Sequence, residues 1–277
     1  MDAQNNDPTR DVQILRMLQG GGSEERTDSV AVEEPMEIRV EGRSIAVTMR
    51  TPGHDRELAA GFLFSEGIIQ RRSDLFEISV CPSATNGNAV DAVLTHPEKL
   101  DFDRLTRHVF TSSSCGVCGK ATIDSTLIPF PPISPNDALP LPVELILDLP
   151  NRLRQQQTHF LSTGGIHASA LFDWDGNLLL LREDVGRHNA LDKLLGACLL
   201  DGKIPLTQSI LLLSGRVSFE LMQKALAGGI PVIAAVGAPS SLAIEFAERS
   251  NQTLIGFIRD GRCNLYAGGS RLRGANR

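Results

Sequence analysis

Residues 210–258 read ILLLSGRVSFELMQKALAGGIPVIAAVGAPSSLAIEFAERSNQTLIGFI. Three short apolar runs, at 210–213, 231–236 and 253–258, alternate with two stretches, 219–226 and 241–249, whose apolar residues recur at helical spacing. Apolar runs without polar alternation are what strands look like when both faces of their sheet are covered. The alternation therefore predicts an α/β unit on a mainly parallel sheet with helices on both faces. Upstream, 168–173 and 178–182 read as strands around an Asp175-Gly176 turn, 189–200 as a helix and 152–159 as another.

Pro129, Pro131, Pro132, Pro135, Pro140 and Pro142 predict an extended connector and a boundary before that unit. On its other side, 36–40 and 45–49 alternate around Glu41-Gly42 as a hairpin, 56–66 reads as a helix closed by Gly67, and 76–81 and 89–94 read as strands. Residues 1–34 hold eight acids against three arginines, five of the six net negative charges of the chain, and Gly20-Gly21-Gly22 interrupts them. Such a segment buries little apolar surface, so residues 1–33 are expected to be a disordered acidic tail, with at most a helical fragment at 12–18. The expected division is thus the tail 1–33, a β-rich domain 34–128 ending in a Cys-x-x-Cys loop, the connector 129–142, and an α/β domain 143–277. The fold class is α/β, or α+β overall.

At 277 residues and 42% hydrophobic content, the chain can bury a sizeable core. No apolar run reaches eighteen residues, which predicts no membrane span. The start, MDAQNNDPTRDVQ, lacks the basic and apolar regions of an export signal, so a cytoplasmic protein is expected. Beyond the tail the chain is nearly neutral, which argues against nucleic acid as a partner. Five cysteines, an odd number, argue for free thiols rather than a disulfide framework.

The close pair lies in Thr111-Ser-Ser-Ser-Cys-Gly-Val-Cys-Gly-Lys120. Hydroxyls, glycine amides and Lys120 around Cys115 and Cys118 suit an anionic, reactive sulfur. Structural zinc lacks a second close pair, a thioredoxin-like redox pair fits poorly before so many prolines, and an inert loop is the third alternative. In the α/β unit, Ser162-Thr-Gly-Gly-Ile-His-Ala168, Arg182-Glu-Asp-Val-Gly-Arg-His-Asn-Ala190, Ser214-Gly-Arg216, Gly237-Ala-Pro-Ser-Ser241 and Arg259-Asp-Gly-Arg262 fall at predicted strand ends or helix starts. Free amides there favour anions, and Arg187, Arg216, Arg259 and Arg262 could converge on phosphates. Taken singly, Ser218 and Ser241 read equally as helix caps, Asp260-Gly261 as a hairpin turn, and His167 and His188 as structural histidines.

Ser114-Cys-Gly-Val-Cys-Gly119, Thr163-Gly-Gly-Ile-His167, Glu183-Asp-Val-Gly-Arg-His-Asn-Ala-Leu-Asp-Lys193 and Ser214-Gly-Arg216 resemble, in order and spacing, the formate dehydrogenase accessory sulfurtransferases of the FdhD family. Gly61-Phe-Leu-Phe-Ser-Glu-Gly67, Ala238-Pro-Ser-Ser241 and Gly256-Phe-Ile-Arg259 add to the likeness, which spans about residues 33–267. The resemblance implies a sulfurtransferase: a cysteine desulfurase donates sulfur, Cys115 carries it as a persulfide, Cys118 assists, and formate dehydrogenase is the final recipient. The bound substrate it implies is molybdenum (or tungsten) bis-molybdopterin guanine dinucleotide, with guanosine diphosphate as an analogue ligand and no structural metal. The family's cofactor segment maps onto Phe257, Ile258, Arg259, Asp260, Gly261 and Arg262, and Arg187, His188, Ser214, Gly215 and Arg216 join it. The resemblance further implies a homodimer and a cytidine deaminase-like fold for the C-terminal half. Deaminase chemistry is not expected, because His167-Ala-Ser169 lacks the glutamate of the His-x-Glu motif.

Overall fold

The computed structural model describes residues 7–81, 88–100, 130–134 and 140–274. Its largest sheet contains β7 (His167–Phe172), β8 (Leu178–Asp184), β9 (Ile210–Leu213), β10 (Val232–Ala235), β11 (Thr253–Arg259) and β12 (Arg262–Ala267), ordered β12-β11-β10-β9-β7-β8. β9, β10 and β11 are mutually parallel, β7 and β12 run antiparallel to them, and the outermost β8 pairs antiparallel with β7. The sheet is therefore mixed rather than mainly parallel, because tight turns instead of crossover helices join β7 to β8 and β11 to β12. In one such turn Asp173 accepts the amides of Asp175 and Asn177 at 3.0 and 2.8 Å.

The central strands are wholly buried, as their unbroken apolar sequence requires. One face is covered by α4 (Arg187–Leu200), α5 (Phe219–Ala227) and α6 (Ser241–Arg249), through Leu191, Leu194, Met222, Ala225 and Ala243. The other carries Ile146, Leu149 and Leu153 of α2 (Val143–Arg154). Where the sequence suggested one helix at 152–159, α2 begins earlier, and α3 (Thr158–Thr163) follows a break. Pro150 inside α2 masked the helix in the sequence, since proline removes an amide donor and usually breaks a helix interior.

A second sheet, ordered β4-β3-β6-β5, is made of β3 (Glu34–Val40), β4 (Arg43–Arg50), β5 (Leu75–Val80) and β6 (Ala89–Leu94). Met36, Ile38, Val40 and Ile45 pack against Leu58, Ala59 and Leu63 of α1 (Asp55–Ser65). Each fully buried aliphatic chain contributes about 1.5–3 kcal/mol. α1 then crosses α4 with almost no space between the backbones. A Cβ at Gly61 would lie 1.8 Å from the Asp192 carbonyl, and one at Gly196 1.8 Å from that of Glu57. Leu199 of α4 belongs to the second core, whereas Leu191, Leu194 and Leu195 belong to the first.

Buried charges seal the junction. Lys224 of α5 donates to both oxygens of Asp192 at 3.0 Å and to Ser65 at 2.7 Å. Arg182 of β8 makes a paired contact with Glu57 of α1 at 2.5 and 2.9 Å. Burial opposes ionisation of Glu57, but Arg182 and His54 outweigh it and hold the carboxyl down at about 2.

The tail departs from expectation. β1 (Thr9–Met17) and β2 (Ser23–Ala31) form an antiparallel hairpin from Thr9↔Ala31 to Met17↔Ser23, closed by glycines at positive φ. The composition does limit burial, since Leu15 and Met17 are 58% and 74% exposed. Backbone pairing, however, needs no core, and β-formers such as Val12, Ile14, Thr27 and Val30 supply the propensity. A lone hairpin is marginal in water, and this one lies against α3. The described parts of the connector are tied to the C-terminal unit: Ile133 donates to Ser250 at 2.9 Å and Leu141 to Arg271 at 2.8 Å.

Candidate functional site

The C-terminal ends of β9, β10 and β11 share one sheet edge because these strands are parallel. The loops beyond them form a ledge poor in side chains. Ser214 is bound twice to Ala168, its amide donating at 3.0 Å and its hydroxyl accepting at 2.9 Å, so the start of β7 is held beside the end of β9. The Gly237 amide donates to the Gly215 carbonyl at 3.2 Å, and Phe257 donates to the Gly237 carbonyl at 3.1 Å. A Cβ at Gly237 would lie 2.7 Å from that Gly215 oxygen, so only glycine permits this layering. A Cβ on Gly215 would stand 3.1 Å from the His167 ring, which places His167 over the ledge.

The Glu183 to Lys193 motif divides its residues between two tasks. Asp184 is fully buried; it pairs with Lys193 at 2.7 Å and accepts from the amides of Thr51 and Gly186 and from Asn189 at 2.8–3.1 Å. Asn189 also donates to the Met49 carbonyl at 2.7 Å, and Lys193 to that of Thr51 at 2.8 Å. Glu183 accepts the amides of His159 and Phe160 at 3.4 and 3.2 Å. Asp184, Asn189 and Lys193 join the two halves of the fold, and Glu183 holds the start of α3 against β8. Arg187 and His188, at the first turn of α4, are left for the ledge.

Charge accumulates there. Burial lowers the pKa of His167, and Arg187, His188 and Arg216 lower it further, which keeps the ring neutral near pH 7. Nε of Arg187 is buried and makes no hydrogen bond among the described residues. An orphaned guanidinium donor that shares the neighbourhood of His167 with a second arginine and a glycine-lined backbone fits a phosphate oxygen. His188 Nε2 lies 3.1 Å from Glu220 Oε2 and 3.3 Å from Ser218 Oγ. Sequence reading missed Glu220: a carboxylate in the first turn of a helix reads as dipole compensation, and its partner is 32 residues away.

The 257–262 segment splits likewise. Ile258 is 2% exposed in the core, so its side chain is withheld from any ligand. Phe257 takes φ 53° at a bulge between β11 and β12, and the Arg259 guanidinium lies 5.5 Å from its ring centre. Asp260 and Gly261, at φ 53° and 70°, form the two-residue hairpin turn, and Arg259, Asp260, Gly261 and Arg262 are exposed at its tip.

Cys115 and Cys118 lie outside the described residues. Of the described thiols, burial pushes Cys198 up to about 11 and also raises Cys263, which disfavours the thiolate at either. Among the described residues no group of three or more His, Cys, Asp or Glu could hold a metal ion, and no helix is long and apolar enough to cross a membrane. Two clefts, of about 360 and 570 Å³, flank β8, and neither is lined by Arg187, His188 or the ledge loops.

The sequence model described as the FdhD/NarQ family matches residues 31–273. Proteins named sulfur carrier protein FdhD are 48% identical over 265 residues in Streptomyces coelicolor and 47% over 271 in Streptomyces avermitilis, each match covering 94% of both chains. A crystal structure from Desulfotalea psychrophila, described as a formate dehydrogenase accessory protein, superimposes with a TM-score of 0.74 at 27% identity, covering 96% of this chain and 100% of that one.

Proposed function

Since the chain belongs to the FdhD/NarQ family, we propose that it is a cytoplasmic, homodimeric sulfur carrier serving formate dehydrogenase. In this reading the Cys115 thiolate attacks the terminal sulfur of a cysteine desulfurase persulfide; one S–S bond forms as the donor's breaks. The carrier persulfide, more acidic than a thiol, remains anionic near neutral pH. Its outer sulfur passes to a molybdenum or tungsten bis-molybdopterin guanine dinucleotide held on the ledge. If Cys118 resolves the persulfide, sulfur leaves as sulfide while Cys115 and Cys118 become a disulfide, which accounts for both electrons. Holding the acceptor near the carrier makes the transfer effectively intramolecular.

The observation that carries the cofactor half of this reading is the buried Arg187 Nε, without a partner among the described residues, which with Arg216 acts on the His167 ring over a glycine ledge. The names of the relatives support the sulfur half. The test is intact-mass spectrometry after incubation with a cysteine desulfurase and cysteine: a reducible gain of one sulfur is expected, absent from Cys115→Ala, which still binds guanosine diphosphate. Full sulfur transfer by Cys115→Ala would overturn the carrier. Active formate dehydrogenase supported by Cys115→Ser would indicate a cofactor chaperone that handles no sulfur, and a reversible Cys115–Cys118 disulfide in the wild type that reduces generic substrates would indicate a thiol-disulfide oxidoreductase.

A further inference from the structure

Helices α5 and α6 each follow a strand-end loop with a serine at the capping position, and the two serines behave differently. Ser240, at φ −82° and ψ 161°, accepts the Ala243 amide at 3.2 Å, an ordinary cap. Ser218 has nearly the same backbone, φ −96° and ψ 167°, yet its side chain makes no cap bond. Its hydroxyl instead donates to Glu220 Oε2 at 3.3 Å and lies 3.3 Å from His188 Nε2. A cap is worth about 1 kcal/mol, and α5 forgoes it.

Glu220 Oε2 is 3.1 Å from that same Nε2. A carboxylate only accepts, so Nε2 carries the hydrogen, and Nδ1 makes no hydrogen bond among the described residues. In a nucleophilic triad the acid binds Nδ1 and the serine Nε2. Here both crowd one nitrogen, which orients the ring without activating Ser218. The place of Glu220 is fixed independently of any ligand: one turn along each helix, Asp192 and Lys224 form the buried ion pair. Two rungs of reversed polarity thus bind α4 to α5, and the rung nearer the ledge is the one containing an imidazole.

We propose that Glu220 is a positioning residue which, with Ser218, holds His188 as the cationic, Nδ1-donating imidazolium of a phosphate subsite on the ledge. The proposal rests on the nucleotide reading given above. The charged and titratable groups sharing this neighbourhood are Glu220 from α5, His167 from β7, Arg187 on the helix of His188, Arg216 after β9, and Asp184 from β8, the last already paired with Lys193. Burial and the two arginines keep His167 neutral, whereas the His188 ring, 3.1 Å from Glu220, is the imidazole that faces a carboxylate able to balance a positive charge.

The test is calorimetric binding of guanosine diphosphate to the full chain from pH 5.5 to 8.5, with ¹⁵N spectra of the histidine rings. Wild type is expected to bind about tenfold more weakly at the alkaline end, the size of one charge-assisted hydrogen bond. Glu220→Gln should lose about that factor at acid pH and flatten the profile, and Glu220→Asp should restore part of the slope. A folded Glu220→Gln with the wild-type profile overturns the proposal and leaves the nucleotide reading intact. Should Glu220→Gln not fold, the wild-type spectrum decides: Nδ1 protonated in the complex supports the assignment, and an unprotonated Nδ1 overturns it. If folded wild type binds no guanosine diphosphate at any pH, the nucleotide reading itself fails and takes the subsite with it.

Discussion

Two regions a turn apart on α4 use buried charge in opposite ways. At the α1–α4–α5 junction Lys224 and Asp192 satisfy each other, with Ser65 completing the set, and Lys193 and Asp184 do the same beneath the β4–α1 turn. At the ledge Arg187 Nε and Glu220 Oε1 are buried without hydrogen-bond partners among the described residues. A satisfied buried pair is consistent with a structural part, whereas an orphaned donor is a cost the fold tolerates where a ligand is to bind. The contrast teaches that one sequence motif can interleave the two kinds of residue, and that only their bonding separates them.

The severest way to break the contrast is at the helix crossing. Gly196→Val or Gly61→Val drives a side chain into a facing carbonyl and is expected to cost about 3 kcal/mol or more, read by urea unfolding. Lys224→Met should cost about 3–5 kcal/mol, because it leaves the Asp192 carboxylate buried without its cation, with only the Ser65 hydroxyl donating to it. Burial pushes Asp192 up, so protonation relieves that variant: its deficit should shrink as pH falls and grow as pH rises. Unfolding curves at pH 5 and 8 check the sign.

Arg187→Ala should leave the unfolding midpoint almost unchanged and weaken guanosine diphosphate by about tenfold or more, since its donor is idle in the free protein. Equal losses of stability and affinity would erase the distinction between the regions. Glu57→Gln tests a satisfied pair by pH. With its folded pKa near 2, Glu57 contributes stability that is fully present above its ordinary value and lost as pH falls toward 2. Allowing for solvent screening, the variant should lose about 1–2 kcal/mol at pH 7 and nothing near pH 2. The smallest effect sharpens the comparison most: Ser240→Ala should cost about 1 kcal/mol and Ser218→Ala clearly less, because only Ser240 caps its helix.

Much of this was legible before any coordinates. The ILLL and VIAA runs announced buried strands because no polar residue interrupts them, and Asp175-Gly176 announced its turn through φ preference. The hairpin at 9–31 was not legible, since acidic, exposed strands give no burial pattern, and α2 was hidden by Pro150. At the site, Arg187, His188, Ser214 and Arg216 could be placed at strand ends from spacing alone. That Asp184 and Asn189 would turn away to hold Thr51 and Met49, and that Ile258 would sink into the core, depends on contacts across more than a hundred residues or on which way one strand faces. No local pattern encodes either.

Leu199 and Leu191, on one helix, look into different cores. A party wall has no independent lodgers: neither sheet can melt while the other keeps α4 in place, so heating should release both in a single calorimetric peak, despite the two separate sheets. The same rod presents its first turn to the ledge, so the helix that carries Arg187 is the one that Leu199, three turns on, anchors in the other core.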